Sequence, residues 1–132
     1  MTSNQALSEP LHDPNAPPEL EVDVLVEDGI TVVVAAGEID LSTLERYEAC
    51  LAHALAGDRP VLLDLCDVFF MDSTGLRATL GARARLSAAG RSLTLACRAG
   101  AAVARLLDVS GTAELLAPQP SREAALRVLA RA

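Results

Sequence analysis

The chain has 132 residues, 51% of them hydrophobic and 2% aromatic, and a formal net charge of −7 at pH 7. This length indicates one domain whose core needs neither a metal nor a disulfide, and the negative charge disfavours binding to nucleic acid or to anionic membrane surfaces. No apolar run reaches the ~20 residues that span a bilayer. Because residues 1–10 lack the basic start and the apolar block of a signal peptide, we expect a cytoplasmic protein.

Residues 1–18 predict a flexible N-terminal tail, since they offer little that can pack and carry the prolines Pro10, Pro14, Pro17 and Pro18. The folded domain is predicted to occupy residues 19–132. It opens with apolar and acidic residues that alternate from Leu20 to Glu27, followed by a β-branched run from Ile30 to Ala36. Asp28-Gly29 lies between the two runs and favours a type I′ turn, so we predict an antiparallel hairpin.

Helices and strands then alternate along the chain. Ser42 and Glu45 have the spacing of a capping box, which predicts a helix that ends at a C-cap on Gly57. The later predicted elements are the strand Val61–Leu65, the helix Thr74–Ala89, the strand Ser92–Cys97, the helix Ala101–Asp108, a short strand at Ala113–Leu116 and a helix from Ser121 to about Ala130. The order β-β-α-β-α-β-α-β-α predicts a single α/β domain with a mixed, mostly parallel sheet and one antiparallel edge hairpin.

The three cysteines, Cys50, Cys66 and Cys97, are odd in number and lack the paired spacing of a zinc site. They predict reduced structural thiols, and we expect no metal and no cofactor. Cys66 and Cys97 lie near the ends of strands that are predicted to be neighbours. An oxidative link between these two thiols is therefore an alternative, with the reduced state favoured.

The stretch F-F-M-D-S-T-G-L, Phe69–Leu76, lies beyond the carboxyl end of a strand, where functional groups of such sheets collect. One interpretation is structural, with Asp72 or Ser73 as the N-cap of the next helix. Enzyme interpretations fit poorly. A nucleophile elbow needs a glycine where Met71 stands, no histidine is placed as a base, and the chain has no lysine for a phosphate loop.

A magnesium site is a further interpretation of this region, because Asp64, Asp67 and Asp72 lie close together in sequence. Asp64 lies inside a predicted strand and Asp67 begins a turn. Structural roles are therefore favoured over metal binding for these carboxylates.

The remaining interpretation uses the hydroxyl of Ser73 as a phosphoacceptor. A phosphate at an exposed helix N-terminus meets free N–H groups and the positive end of the helix dipole. It would add about −1.5 to −2 charges beside an apolar contact surface formed with Phe69, Phe70 and Met71. We expect at least one of the two phenylalanines to point inward.

The motif around Ser73 resembles the signature of the anti-sigma factor antagonists, the STAS domain family. The run V-L-L-D-L-C-D-V-F-F-M-D-S-T-G-L-R, Val61–Arg77, is similar to the family's aspartate-containing strand, aromatic residue, Met-Asp-Ser-Ser/Thr-Gly-Leu and helix. G-E-I-D at Gly37–Asp40 and V-A-R-L-L-D-V-S-G at Val103–Gly111 resemble two further segments of the family. The resemblance extends from about residue 20 to about residue 130 and implies one STAS domain.

The resemblance implies a bacterial regulatory protein, not an enzyme, that acts by partner switching in transcription and stress response. The unmodified protein binds an anti-sigma factor that is also a serine kinase, and this binding releases the sigma factor. The kinase phosphorylates Ser73, with Thr74 as a secondary acceptor, and a serine phosphatase restores the unmodified form. The implied partner-binding residues are Asp40, Phe70, Met71, Asp72, Ser73, Thr74, Gly75 and Arg77.

Two other functions stay open as alternatives. One is a STAS scaffold or accessory subunit of a signalling or transport complex that involves no sigma factor. The other is a nucleotide-binding domain, which the missing phosphate loop disfavours. The basic residues after the motif form either a solvated face or a contact for an acidic partner surface; they are Arg77, Arg83, Arg85 and Arg91.

Overall fold

The computed structural model describes residues 19–131, so the predicted tail at residues 1–18 lies outside the described part, as does residue 132. None of the helices in residues 19–131 is long and apolar enough to cross a membrane. The elements are, in chain order, β1 Leu20–Glu27, β2 Ile30–Ile39, α1 Leu44–Ala56, β3 Val61–Met71, α2 Ser73–Ala88, β4 Leu93–Ala96, α3 Ala102–Ser110, α4 Ala113–Leu116 and α5 Arg122–Ala130.

The strands form one four-stranded sheet in the order β1-β2-β3-β4. β1 pairs antiparallel with β2, whereas β2 with β3 and β3 with β4 are parallel, which confirms the predicted mixed sheet with one antiparallel edge hairpin. Asp28 and Gly29 have φ values of 55° and 77°. The hairpin turn thus has the positive φ at both central residues that its sequence predicts.

The two faces of the sheet are covered by different helices. Side chains such as Val33 and Leu63 point to a face that packs under α1, α2, α3 and α4. The alternate side chains, such as Val32 and Leu62, point to the opposite face and pack against α5 through residues that include Leu129. Residues of α1 and α2 in the larger cluster hold both helices against the sheet, and this packing positions the first turn of α2.

A buried hydrogen-bond chain joins α1 to the first turn of α2. The hydroxyl oxygens of Tyr47 and Thr79 lie 2.6 Å apart in the core, and the Thr79 hydroxyl donates to the carbonyl of Gly75 over 2.9 Å. Because Thr79 donates its proton to Gly75, Tyr47 is the donor to Thr79. Burial raises the pKa of Tyr47 well above its usual value, so the phenol keeps this proton.

An ion pair attaches α5 to the sheet. Nε of Arg122 donates to Oδ2 of Asp64 over 2.7 Å, and its Nη1 lies 3.3 Å from Oε1 of Glu27. Burial raises the pKa of Asp64, but hydrogen bonds from Arg122 and from the Cys66 N–H outweigh burial and hold this pKa below its usual value. The aspartate inside β3 therefore has a structural role.

The predicted strand at Ala113–Leu116 is wrong, because this segment forms the short helix α4. One helical turn, closed by a bond from the Leu116 N–H to the Thr112 carbonyl over 3.0 Å, is enough to bury Leu116 in the larger cluster. Strand-like pairing comes slightly later in the chain, where Gln119 makes an isolated parallel bridge with Ala96 at the free edge of β4.

The predicted capping box at Ser42 and Glu45 is also wrong. The N-cap of α1 is Thr43, and the Ser42 hydroxyl instead donates to Oδ1 of Asp40 over 2.7 Å. The predicted C-cap at Gly57 is confirmed. The Ser42 hydroxyl thus bonds to an aspartate rather than to the helix backbone, and the Thr43 hydroxyl donates to the carbonyl of Glu38 over 2.9 Å.

Candidate functional site

Two loops lie side by side at the carboxyl ends of β2 and β3. Ile39 pairs with Met71 in the last step of the parallel ladder, and the N–H of Asp72 donates to the carbonyl of Ile39 over 3.1 Å. The loop after β2, residues 40–43, is therefore adjacent to the β3–α2 junction. This arrangement brings two of the three segments that resemble the family, G-E-I-D and M-D-S-T-G, to one edge of the sheet.

Asp72 is the N-cap of α2. Its Oδ1 accepts hydrogen bonds from the Thr74 N–H over 2.9 Å, the Gly75 N–H over 3.2 Å and the Thr74 hydroxyl over 2.5 Å. Burial raises the pKa of Asp72, but these bonds and one from the Leu41 backbone together lower it, so the carboxylate is charged at neutral pH.

Ser73 is the first residue of α2, and its side chain is exposed. Asp72, rather than Ser73, performs the capping. Within residues 19–131 the Ser73 hydroxyl makes no hydrogen bond to another residue, whereas the Thr74 hydroxyl is bound to Asp72. Of the two neighbouring hydroxyls, the structure therefore leaves that of Ser73 accessible to a partner.

Gly75 allows α2 to begin directly against the ends of the strands. A Cβ atom at this position would lie 2.7 Å from Cγ2 of Ile39 and 2.9 Å from Cγ of Met71. Met71 is 5% exposed and Gly75 is also buried. These two residues therefore lie beneath Ser73 and support it from the core side, and contact between them and a partner stays a prediction.

Phe69 and Phe70 are both on the surface, with exposed fractions of 63% and 45%. The expectation that one of them points inward is wrong. The ladder between β2 and β3 shifts register here, since Gly37 pairs with Val68 and Glu38 with Phe70. The extra residue in β3 lets Val68 and Met71 take the buried positions, which leaves the two rings exposed.

Asp40 organises the neighbouring loop. Its Oδ1 accepts from the Ser42 N–H over 3.0 Å, the Ser42 hydroxyl over 2.7 Å and the Thr43 N–H over 3.2 Å. Leu41 projects from the turn that these bonds form and is 74% exposed. Sequence reasoning missed Leu41; the available signal is one leucine between the polar residues Asp40 and Ser42.

The arginines that follow the motif separate into two groups. Arg77 and Arg85 are exposed on α2. Arg91 lies beyond α2, and its guanidinium donates to the carbonyls of Leu55 over 2.9 Å and Arg59 over 2.7 Å. Arg91 therefore closes the end of α1 and does not belong to the basic face of α2.

The three clustered aspartates have three separate partners. Asp64 pairs with Arg122, Asp67 pairs with Arg98 over 2.9 Å, and Asp72 caps α2. In residues 19–131 no group of three or more His, Cys, Asp or Glu side chains is arranged to hold a metal ion. The structure thus accounts for each of these carboxylates without a cation.

Cys66 and Cys97 lie on opposite faces of the sheet. Cys97 belongs to the larger core cluster, whereas Cys66 packs against the cluster under α5. Burial, and then the hydrogen bond and charge of Asp64, raise the pKa of the Cys66 thiol to about 11. Both thiols are free, and this placement opposes the oxidative link between them.

Comparisons with known proteins agree with this geometry. A family model described as the STAS domain matches residues 21–125. The crystal structure of an anti-sigma factor antagonist from Mycobacterium paratuberculosis is 26% identical, with a TM-score of 0.79, and the match covers 87% of this chain and 97% of that chain.

Two structures of SpoIIAA, an anti-sigma factor antagonist, have the same fold. The unphosphorylated form is 21% identical, with a TM-score of 0.65 and coverage of 82% of this chain and 96% of that chain. The phosphorylated form, from Bacillus, is 22% identical, with a TM-score of 0.60 and coverage of 83% and 98%. The STAS family model matches most of the chain, and the fold agrees with it. The chain therefore belongs to the STAS domain family.

Proposed function

We propose that this protein is an anti-sigma factor antagonist that binds an anti-sigma factor with serine kinase activity and is switched off by phosphorylation on Ser73. Binding releases the sigma factor, and a serine phosphatase restores the unmodified form. The protein acts in this scheme as a binding partner and as a substrate of the kinase, in the cytoplasm.

The observation that carries the proposal is the exposed Ser73 hydroxyl at the start of α2. Asp72 already caps the helix and Thr74 is bound to Asp72, so modification of Ser73 removes no hydrogen bond from the part of the domain that the structure describes. Asp72 already accepts the N–H groups of Thr74 and Gly75, so the positive end of the helix dipole is what stabilises an added phosphate here. The modified domain therefore stays folded.

The same phosphate opposes docking. It adds about −1.5 to −2 charges next to the ionised Asp72, at the junction flanked by the exposed side chains of Leu41, Phe69 and Phe70. A partner that covers these apolar groups would have to bury an unpaired charge, which costs several kcal/mol. This cost corresponds to a loss of affinity on the order of a thousandfold.

The comparisons support the proposal at two levels. The relative from Mycobacterium paratuberculosis that is 26% identical is an anti-sigma factor antagonist. SpoIIAA, which shares the fold, has a phosphorylated form. A domain of this architecture thus carries a phosphoryl group and keeps its fold.

The test is phosphorylation in vitro by purified anti-sigma factor kinases of the cell that makes this chain. The protein is incubated with each kinase and ATP·Mg²⁺, the phosphosite is mapped by mass spectrometry, and affinity is measured by calorimetry. We expect one phosphate, on Ser73, and none on Ser73→Ala, which should still bind. Ser73→Asp should stay folded and bind at least about a hundredfold more weakly.

Thr74 supplies the internal control for the site. Thr74→Val removes the second hydroxyl and its bond to Asp72, and Ser73 should still be modified in this variant. Phosphate on Thr74 in the parent protein, or a Ser73→Asp variant that binds as tightly as the parent, would contradict the proposal.

A further inference from the structure

A groove runs between α1 and α2 and starts at the Ser73 junction. We name it the α1–α2 groove; Leu41 and Thr74 lie at the end next to Ser73, and Leu44 and Leu55 line the α1 side. The groove is mainly apolar, and Leu41 is 74% exposed. A partner that covers Ser73 thus meets a continuous apolar channel that leads away from the phosphorylation site.

Gly81 makes this channel deep. It lies on the exposed side of α2, and a Cβ atom built on it would have no atom within 4 Å apart from its chain neighbours and the adjacent backbone of its own helix. Its backbone is ordinary helix, so no left-handed φ requires glycine here. Glycine in the middle of an exposed helix is unfavourable compared with alanine. Glycine at this position therefore does not stabilise the helix, but it keeps the groove open.

Arginines stand on either side of this opening. Arg77 and Arg85 are one helical turn before and after Gly81, so all three residues share a stripe of α2 that lines the groove. In residues 19–131 neither guanidinium lies within ion-pair distance of a carboxylate, although Glu48 lines the opposite wall. The α2 rim thus offers two free positive charges in a chain whose net charge is −7.

We propose that the α1–α2 groove binds a segment of the anti-sigma partner that carries apolar side chains flanked by acidic ones. The apolar side chains fill the space above Gly81, and the carboxylates pair with Arg77 and Arg85. This inference rests on the proposed function and extends it, because it assigns a contact region that continues from Ser73 along α2 and states its chemistry.

The first test fills the groove by Gly81→Leu. The added side chain meets no other atom near its Cβ and replaces a poor helix former, so the variant should be folded and at least as stable as the parent. The kinase that modifies Ser73 should nevertheless bind it at least about tenfold more weakly. Ala84→Leu, exposed on the same helix but outside the groove lining, should bind as the parent does.

The second test reverses charge on the α2 rim. Arg77→Glu and Arg85→Glu should each weaken binding of the same kinase and lower its dependence on salt. Arg83→Glu makes the same change of charge on the same helix outside the groove lining, and we expect it to have little effect. Equal losses from all three substitutions would show a general charge effect and overturn the assignment of the groove.

The outcomes separate this inference from the proposed function. If Ser73→Asp abolishes binding while a folded Gly81→Leu binds like the parent, the groove assignment is wrong and the proposed function stands. If Gly81→Leu weakens binding while Ser73→Asp does not, the groove is a docking site but the phosphorylation switch is wrong.

Discussion

The hydroxyl of Thr74 donates to Oδ1 of Asp72 over 2.5 Å, whereas the neighbouring Ser73 hydroxyl has no hydrogen-bond partner within residues 19–131. The same carboxylate oxygen accepts the N–H groups of Thr74 and Gly75. Asp72 therefore starts the helix, binds the second hydroxyl of the motif and presents the first one to solvent.

Asp72→Ala should destabilise the domain. It removes the carboxylate that accepts the first N–H groups of α2, and the loss of such a cap costs about 0.5–2 kcal/mol. The free energy of unfolding is measured by urea denaturation at neutral pH. Asp72→Asn keeps an accepting oxygen and is the matched control; an equal loss in both variants would show that charge, not capping, is the main contribution.

Gly75→Ala and Gly81→Ala should have opposite effects on stability, although both lie in α2. The new methyl group of Gly75→Ala would lie less than 3 Å from Ile39 and Met71, so α2 must shift, at a cost of about 1–3 kcal/mol. Gly81→Ala meets open space and should stabilise the helix by up to about 1 kcal/mol. Thermal unfolding of both variants measures this difference, and a stable Gly75→Ala would contradict the close packing at Ser73.

Asp64→Asn should weaken the attachment of α5 to the sheet. The substitution leaves Arg122 without its closest carboxylate, and we expect a loss of about 1–3 kcal/mol at pH 7, since Arg122 stays partly in contact with water. Asp67→Asn breaks the ion pair with Arg98, whose two side chains are each 66% exposed, and should change stability little.

The pH dependence of this loss has a definite sign. The pKa of Asp64 is lower in the folded protein than its unfolded value of about 3.9. Its contribution is therefore fully present above that value and disappears as pH falls through the folded pKa. The stability difference between the parent and Asp64→Asn should shrink below about pH 4; a difference that grows in acid would contradict the assignment.

Phe69→Ser and Phe70→Ser should weaken partner binding with little effect on the fold. Both rings are exposed, so each substitution should change the free energy of unfolding by about 0.5 kcal/mol or less. Val68→Ser, at a buried neighbour in the same strand, should cost about 2 kcal/mol or more. Chemical denaturation and calorimetry with the kinase separate the two effects; large destabilisation by Phe70→Ser would show a core role.

Local patterns predicted most of the architecture. The Asp28-Gly29 turn predicts the edge hairpin because it connects two strands that are adjacent in the sequence. The alternation of helical and β-branched segments predicts the mainly parallel sheet. The motif M-D-S-T-G predicts a helix start after a strand, and the structure has α2 begin at Ser73. Each of these features depends on residues that are close together in sequence.

Features that depend on distant residues required the folded chain. The register shift against Gly37 decides that Val68 and Met71 are buried and that Phe69 and Phe70 are exposed. Residues 113–116 form a helical turn that buries Leu116 in the larger cluster, although the alternation of elements along the sequence predicts a strand there. The α1–α2 groove exists because two helices that are separated in the sequence by a strand pack beside each other on the sheet. Packing between segments is a property of the whole core, and no short stretch of the chain contains it.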